Sequence, residues 1–435
     1  MKNLFKVIII FMMPITAQAA GFALAEQSAS GLGNAFAGMA ARSDDPSTQY
    51  YNPATMVFMK KGTQLTVVGN VIAPRMTLDN ASASRSGTPI SGNDGGNAGV
   101  VAIIPNFYLK TDLGDSVALG VGVTTPFGLS TKYNDGWMGR YIALESKVET
   151  INVNPAAAWK INEHFSVGGG VSVQYMRAKL TSAIDSRFFC GGCVPEGNAT
   201  TDSGVKLEGD DISVGFNLGT VFKPDDQTTL GVAYRSKIQQ NLRGTATFTR
   251  SSTVTAALPL LTQSDMGAQL NLPENIEFSG AFQASPKLEL LAGATWTNWS
   301  RFKELRINFD TPATATGSTP STTAENWNNS WRYSVGTNYK YSSSVVLRTG
   351  VSYDQTAIPD SQHRTPRIPD QSRTWLAFGA GWMLSPKNTL DAGYTHLFMR
   401  NAATNNTTEG SLRYNIRGDY SSSIDMLSVQ LTHSF

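Results

Sequence analysis

The chain has 435 residues, a formal net charge of +2 and 16% charged residues, whereas a soluble protein typically carries about 25%. It contains 40 glycines, and 10% of its residues are aromatic. The low charge and the lack of a basic tract argue against a nucleic-acid partner. The composition is more typical of an exported β-barrel than of a soluble enzyme.

The N-terminus has the pattern of a secretion signal. Two lysines precede an apolar run at residues 7–13, and Ala17-Gln18-Ala19 supplies the small residues of a cleavage site. The run is too short to span a bilayer, and no later apolar stretch is long enough for a membrane helix. We therefore predict that residues 1–19 are a signal peptide and that the mature chain begins at Ala20.

Residues 20–62 are rich in small side chains and turn signals. Glycine, alanine and serine permit close backbone approach, and Asp44-Asp45-Pro46 and Asn52-Pro53-Ala54 favour turns. In a disordered periplasmic tail, which is the alternative, the apolar residues of this segment would be exposed. We predict instead that residues 20–62 form a plug inside a barrel made by residues 63–435.

Residues 63–435 alternate strand-like runs with breaks of two lengths. The short polar breaks, expected on the periplasmic side, are 112–115, 161–164, 223–226, 285–287, 341–343 and 385–388. The long breaks, expected outside the cell, lie near 76–98, 127–146, 181–206, 243–268, 310–326, 356–371 and 400–418. With both ends in the periplasm, six turns and seven loops require fourteen strands, and closure of an antiparallel barrel demands an even number.

The last strand shows the alternation expected of a membrane barrel. Its apolar face holds Leu427, Val429, Leu431 and Phe435, and its polar face holds Ser428, Gln430, Thr432 and Ser434. In residues 100–109 and 375–382, by contrast, both faces are apolar. The inward apolar groups could surround a hydrophobic cargo or could pack against the plug. The predicted fold is all-β, a fourteen-stranded antiparallel transmembrane barrel with an N-terminal plug.

A break is predicted within the third strand. The apolar run from Val117 to Val123 meets Pro126, Phe127 and Gly128. Proline cannot donate to the ladder and glycine weakens it. Unpaired backbone groups are costly in lipid unless they face water or protein. The break could therefore open the wall sideways, or Pro126 could simply end the strand at the outer rim.

The remaining reactive side chains do not suggest catalysis. Cys190 and Cys193 form a Cys-x-x-Cys motif, but no second pair of cysteines or histidines accompanies it as a zinc site requires. In an exported chain, a small disulfide in a surface loop is favoured over free thiols. None of the four histidines lies in a recognisable nucleophile motif. We expect no enzyme activity, metal or cofactor.

Several motifs, in collinear order, resemble those of the FadL-type long-chain fatty acid transporters. They are Ala20-Gly21-Phe22, 30–35, Asn52-Pro53-Ala54, 126–129, 137–141, 152–156, 368–375 and 393–398. The same family includes uptake channels for aromatic hydrocarbons, which share most of these motifs. The resemblance covers nearly the whole mature chain.

The resemblance implies roles for particular residues. It implies a fourteen-stranded barrel closed by an N-terminal hatch that contains Asn52, Pro53 and Ala54. It places Ala20, Gly21 and Phe22 beside the ligand, and a gap in the wall at Pro126, Phe127 and Gly128. It also suggests Arg177 and Lys340 as inward basic groups for a fatty acid carboxylate. Either could instead reach an interface or pair with an internal acid.

The resemblance also implies a function. A monomer in the outer membrane of a Gram-negative bacterium would take up hydrophobic molecules passively, most readily long-chain fatty acids. The cargo would leave through the third-strand gap into the outer-membrane lipids. Aromatic hydrocarbons are the alternative cargo, and they would need no cationic partner. A general porin is disfavoured by the plug and the apolar inner positions.

Overall fold

The computed structural model describes residues 21–189, 199–252, 263–310, 321–409 and 413–435. The predicted signal peptide, Ala20, Cys190 and Cys193 lie outside these ranges. In the part of the chain that is described, no helix is long and apolar enough to cross a bilayer.

Residues 21–62, hereafter the hatch, are folded from short helices that begin at polar caps. Helix α1 (Ala29–Leu32) follows Ser28, and the 3₁₀ helices Pro46–Tyr50 and Pro53–Phe58 follow Asp45 and Asn52. Each cap side chain accepts a hydrogen bond from a backbone amide of the first turn, which satisfies groups that have no partner within the helix. The hatch is almost entirely buried.

The rest of the described chain is β-structure. The strands are β1 (Gln64–Arg85), β2 (Thr88–Pro89), β3 (Ala102–Leu113), β4 (Val117–Thr124), β5 (Gly128–Lys132), β6 (Glu145–Lys160), β7 (Phe165–Ile184), β8 (Ser203–Phe222), β9 (Thr228–Arg235), β10 (Ile238–Thr249), β11 (Ser264–Leu272), β12 (Asn275–Ser285), β13 (Leu288–Thr297), β14 (Glu304–Phe309), β15 (Ser321–Ala324), β16 (Ser330–Lys340), β17 (Val345–Asp354), β18 (Arg373–Ser385), β19 (Asn388–Met399), β20 (Ala402–Thr407) and β21 (Tyr414–Ser434). Short 3₁₀ helices lie at Ser186–Phe189, Ala199–Thr201 and Trp299–Arg301.

These segments form a closed barrel of fourteen antiparallel strands, as predicted. Six barrel strands are interrupted, and they consist of β4 with β5, β9 with β10, β11 with β12, β13 with β14, β15 with β16, and β19 with β20. The short β2 folds back on β1. Closure is made by β1, which pairs with β21 from Gln64 opposite Ser434 to Arg85 opposite Tyr414 and with β3 on its other side.

The turn positions are confirmed, whereas several loops are shorter than predicted. Each short polar break overlaps a turn between two barrel strands. On the outer side, however, β1 continues to Arg85, β10 continues to Thr249 and β21 begins at Tyr414. The strands are longer because their ladders extend beyond the apolar band, where polar residues pair equally well.

The alternation predicted for the last strand is also confirmed. Leu427, Val429 and Leu431 are 51%, 47% and 45% exposed, whereas Ser428 and Gln430 are buried. Exposed aromatic residues lie beside the periplasmic turns, namely Trp159, Phe222, Trp382 and Phe435. This is the arrangement of an apolar band with an aromatic girdle.

The strands with two apolar faces pack against the hatch. Ala102 and Ile104 of β3 and Trp375 of β18 belong to one buried cluster with Leu32 and Phe36 of the hatch. The outward residues of the same strands, such as Ile103, remain exposed. For these strands the second interpretation is therefore correct, and their inward apolar groups fill the space against the plug.

Candidate functional site: an apolar chamber beside a break in the wall

A buried apolar cluster, hereafter the chamber, packs around Phe22 at the N-terminal end of the hatch. Phe22 is only 2% exposed, and its ring centroid lies 4.8 Å from that of Trp299, 5.9 Å from Phe302 and 6.0 Å from Trp327. The other buried members of this cluster are Phe127, Leu129, Val148, Met176, Ile238, Leu242, Leu270, Leu272, Ala357, Ile358 and Ile368. The site can surround an apolar molecule with aromatic and aliphatic side chains.

Interrupted strands supply the aromatic wall of the chamber. Trp299 lies in the 3₁₀ helix between β13 and β14, followed by Phe302, and Trp327 lies between β15 and β16. In a regular strand, alternate residues would point to lipid. The interruptions instead bury Trp299 and Trp327 to 1% and 0% exposure. Trp327 Nε1 donates to Glu325 Oε2 at 3.0 Å, so its polar group is satisfied inside the barrel.

The wall has a break in the third barrel strand, next to the chamber. The β3–β4 ladder runs from Leu113–Val117 to Phe107–Val123, and β5 pairs with β6. Within the described residues 21–189, no ladder joins residues 102–106 of β3 to the third strand. Further out, a bridge between Gly99 and Thr131 joins the two sides of the break again. Because the strand resumes as β5, Pro126 does not end it at the rim.

The N-terminal end of the hatch is hydrogen-bonded to this break. Ala23 forms a bridge with Phe127, Leu24 N donates to Pro126 O at 2.8 Å, and Gly128 N donates to Phe22 O at 2.9 Å. Thr150 Oγ1 accepts from Phe127 N at 3.0 Å and donates to Phe127 O at 2.6 Å. Backbone groups of Pro126, Phe127 and Gly128 are thus satisfied by protein, and movement of Phe22 must disturb the edge of the opening.

Asn52 fixes the middle of the hatch to the barrel wall. Its Nδ2 donates to Ala40 O at 2.7 Å and to Thr220 O of β8 at 2.9 Å, and its Oδ1 accepts from Ala54 N at 3.0 Å. Ser166 Oγ of β7 donates to Ala54 O at 2.8 Å. The Asn52-Pro53-Ala54 turn is therefore also an anchor between the hatch and two neighbouring strands.

The wall strands carry glycine where the hatch backbone comes closest. A Cβ at any of these positions would meet hatch atoms, and the positions are Gly168, Gly219, Gly231, Gly336, Gly350, Gly379 and Gly393. At Gly350 the obstacle is the backbone of Asn34. Because backbone cannot rotate away as a side chain can, these glycines form a seat for the hatch.

The sequence profile of the family described as "Outer membrane protein transport protein (OMPP1/FadL/TodX)" matches residues 10–435. The chain belongs to this family. Members are outer-membrane transport proteins rather than enzymes, so this FadL-family protein is a barrel of the Gram-negative outer membrane.

Named relatives cover nearly the whole chain. The chain is 28% identical over 415 residues to a long-chain fatty acid transport protein of Salmonella typhi, with 92% of each covered. It is 29% identical over 458 residues to outer membrane protein P1 of Haemophilus influenzae, with 96% of each covered. The crystal structure of a Pseudomonas aeruginosa FadL homologue has a TM-score of 0.86, is 27% identical and covers 96% of this chain and 100% of that one. The Pseudomonas putida toluene transporter TodX, with a TM-score of 0.72, 17% identity and coverage of 96% and 100%, shares the fold.

Neither of the two predicted basic residues is at the chamber of this FadL-family protein. Arg177 lies on the outward face of β7, where its side chain is 49% exposed and 3.6 Å from Glu208. Lys340 is exposed at the periplasmic end of β16, where its backbone N donates to Lys287 O in a turn. The expectation of inward basic groups beside the ligand is therefore corrected, because strand parity excludes Arg177 and position along the barrel excludes Lys340.

Of the other predicted residues, the structure brings Gly21, Phe22, Pro126, Phe127 and Gly128 together. Gly21 has a φ of +62°, and a Cβ there would meet Trp327 and Trp299. Phe22 fills the chamber, and Pro126, Phe127 and Gly128 form the edge of the break. Among the described residues, no cluster of His, Cys, Asp and Glu could hold a metal ion.

Sequence reasoning missed the basic groups that do lie inside. Arg367, in the segment between β17 and β18, donates to Ser146 Oγ at 3.2 Å and precedes Ile368 of the chamber cluster. Arg235 and Arg332 line a cavity between the hatch and the wall, together with the acids Glu277 and Asp354. The alternation of inward and outward residues along β16 could have identified Arg332 as inward. Arg367 lies outside the strands, where no such alternation exists.

The hatch also contains a carboxyl group, that of Glu26, whose ionisation should destabilise the folded hatch. Both carboxyl oxygens of Glu26 are buried and lack a hydrogen-bond partner. Burial raises the pKa of Glu26 from 4.5 to about 7, although the charge of Arg373 opposes the shift. Because the folded-state pKa is raised, the stabilisation is fully present below about pH 4.5 and is lost as the pH rises through 7.

We expect Glu26→Gln to reduce the pH dependence of hatch opening. Hydrogen exchange of the hatch amides, corrected for intrinsic rates, should show faster opening at pH 8 than at pH 5.5 in the wild type and a smaller difference in the variant. Glu163→Gln, in an exposed turn, is the control and should behave like the wild type. The same pH response in Glu26→Gln and in the wild type would contradict the assignment.

Proposed function

We propose that the protein mediates passive uptake of long-chain fatty acids, with residues 20–62 as a hatch and residues 63–435 as a monomeric barrel. The cargo binds in the apolar chamber, displaces Phe22 and leaves sideways into the outer-membrane lipids. One observation carries this proposal: the segment that inserts Phe22 into the chamber also covers the break at Phe127. The fatty acid transport activity named for relatives of similar length supports it.

Ion pairs in the hatch and in the periplasmic half of the barrel favour a lateral exit. Arg42 pairs with Asp44 in the hatch, and Arg348 lies 2.8 Å from Asp391 in the periplasmic half of the barrel, with side chains 8% and 3% exposed. An apolar chain moving down would have to pass the half-exposed Arg42–Asp44 pair and desolvate or separate the buried Arg348–Asp391 pair, which is costly. Burial of the chain contributes about 0.8 kcal/mol per methylene. A chain that moves sideways would meet the acyl chains of the lipid and would keep most of this contribution.

Arg367 is the group best placed to bind the fatty acid carboxylate. Burial raises the pKa of Glu325 to about 8 and lowers that of Arg367 to about 10. At neutral pH, Glu325 is therefore mostly uncharged while Arg367 keeps its positive charge. A guanidinium beside the chamber without an ionised acid opposite it can bind a substrate carboxylate by donating two hydrogen bonds to it.

An aromatic hydrocarbon is the second candidate cargo. Five aromatic rings meet at the chamber, and those of Trp299 and Phe302 lie 5.0 and 4.9 Å from Trp327. Edge-to-face contacts of this kind suit a small aromatic guest. Such a guest would gain nothing from Arg367, so this residue separates the two substrates.

We expect Arg367→Met to weaken oleate binding at least about tenfold, since a hydrogen bond to a charged group contributes about 1.5–3 kcal/mol, and to leave toluene binding unchanged. Calorimetry on detergent-solubilised protein would measure both affinities, and labelled-oleate uptake in a deletion strain would measure transport. The matched control is Arg306→Met, since Arg306 is an exposed arginine on β14. An unchanged oleate affinity would contradict the role of Arg367, and uptake of neither ligand by the wild type would contradict the proposed function.

A further inference from the structure

We infer that the outward face at the outer ends of β6, β7, β8 and β10 is a docking surface for a phosphorylated glycolipid of the outer leaflet. The surface, hereafter the charged patch, faces away from the chamber and lies beside the break, since Glu149 of β6 is paired with Gly128. Its basic members are Lys147, Arg177, Lys179, Lys206 and Arg243, and its acidic members are Glu145, Glu149, Glu208 and Asp210.

Strand register arranges seven of these side chains in two rows around the barrel, and Glu145 and Lys206 lie one step further out. In the lower row, Glu149 is opposite Arg177, and Asp210 is opposite both Arg177 and Arg243. In the upper row, Lys179 is opposite both Lys147 and Glu208. Cross-strand partners that share a face lie about 4.5–5.5 Å apart. The rows therefore form a continuous surface about the width of a sugar–phosphate headgroup.

The charged patch lies directly above the lipid-facing band on the same side of the same strands. Ile151 pairs with Tyr175, which pairs with Ile212, in the next outward row below Arg177. Ile212 and Val214 are 64% and 69% exposed. The charged rows must therefore lie at the level of the lipid headgroups, which is where phosphates are found.

Neighbouring amides add a second chemistry to the charged patch. Gln239 and Gln269 both donate to Asn241 Oδ1 at 3.3 Å, and all three side chains are on exposed residues of β10 and β11. Amides can donate to and accept from sugar hydroxyls, whereas arginine and lysine bind phosphate. A headgroup that combines sugar with phosphate matches both sets, whereas a zwitterionic phospholipid matches only the charged rows.

The alternative is a solvated surface in which the ions only satisfy one another. Lys147 lies 2.8 Å from Glu149, Lys179 lies 2.8 Å from Glu145 and Lys206 lies 2.8 Å from Glu208. Exposed pairs of this kind contribute little to stability and are readily exchanged. Basic and acidic residues are balanced here once the exposed Asp265 of β11, in the row of Glu208, is included. The acids hold the lysines extended along the surface. An incoming phosphate would meet oriented donors.

The test is a titration of the solubilised full-length protein with bisphosphorylated and dephosphorylated lipid A, followed by native mass spectrometry. The wild type should bind the bisphosphorylated form at least about tenfold more tightly. The triple variant Arg177→Gln, Lys179→Gln, Lys206→Gln should lose this preference while keeping its barrel, as judged by heat-modifiable electrophoretic mobility.

The control triple variant, Arg75→Gln, Arg400→Gln, Arg417→Gln, removes three exposed arginines from another side of the barrel and should bind like the wild type. Equal affinity of the wild type for the two forms of lipid A would overturn the proposal. So would an equal loss in the two triple variants, which would indicate general electrostatic attraction rather than a site. None of these readouts depends on uptake.

Discussion

Oxidation of a cysteine pair placed at Ala23 and Phe127 should abolish fatty acid uptake, and reduction should restore it. The two residues are opposed in an antiparallel bridge, where Cα atoms lie about 4.5–5.5 Å apart, within the range of about 4.4–6.8 Å for disulfides. The bond would hold the segment that carries Phe22 on the edge of the break. Cargo could still reach the chamber but could not displace the hatch end sideways.

Labelled-oleate uptake with and without reductant measures the effect, with Cys190→Ser and Cys193→Ser as the background. The single variant Phe127→Cys shows the cost of losing the ring, and the reduced double variant should match it. After oxidation, uptake should fall to that of a strain without the protein. Equal uptake by the oxidised and reduced forms would show that cargo leaves by another route.

The architecture could be predicted from the sequence because a barrel repeats two features, the alternation of apolar and polar residues along each strand and the short polar turn between strands. Leu427 and Ser428 point to opposite faces in the structure as the alternation requires, and the polar breaks mark every periplasmic turn. Pro126 disrupts pairing for a local reason, the missing N–H. Features that follow from backbone periodicity and from single-residue geometry were therefore accessible without coordinates.

The predictions for Arg177 and Lys340 were wrong because they followed the family resemblance and not the alternation of inward and outward residues along a strand. The alternation puts Val171, Val173 and Tyr175 on one face of β7, and Arg177 continues this series, so its outward position was already implied. Lys340 directly precedes a predicted periplasmic turn, which keeps it far from an outer chamber. Counting from residues already assigned would have corrected both expectations.

The chamber itself depends on segments without periodicity. Trp299, Trp327 and Arg367 lie where strands are interrupted or between strands. No alternation fixes which way such residues point. The two tryptophans turn inward because the hatch end offers Phe22 as an apolar partner, a contact between residues about three hundred positions apart in the sequence. Long-range packing of this kind is invisible to local patterns.

Gly350→Ala should unseat the hatch and make the barrel leak. The added Cβ would overlap the backbone of Asn34, whose Nδ2 donates to Thr337 O at 2.9 Å and whose Oδ1 accepts from Arg42 Nη1 at 2.8 Å. Overpacking of this kind costs about 1–3 kcal/mol. The strain falls on the hatch, because β17 is held by ladders on both sides.

Liposome swelling with small sugars should detect the leak, and hydrogen exchange should show faster opening of residues 29–45. Gly69→Ala is the matched control, because a Cβ there meets no atom within 4 Å. Adding Gly231→Ala, which faces the backbone of Ala40, should increase the leak further, since the two sites press on different parts of the hatch. If the variant stayed impermeable to sugars and its hydrogen exchange were unchanged, the strain would be taken up by the barrel wall and not by the hatch. The wall glycines would then serve the barrel rather than the closure of its lumen.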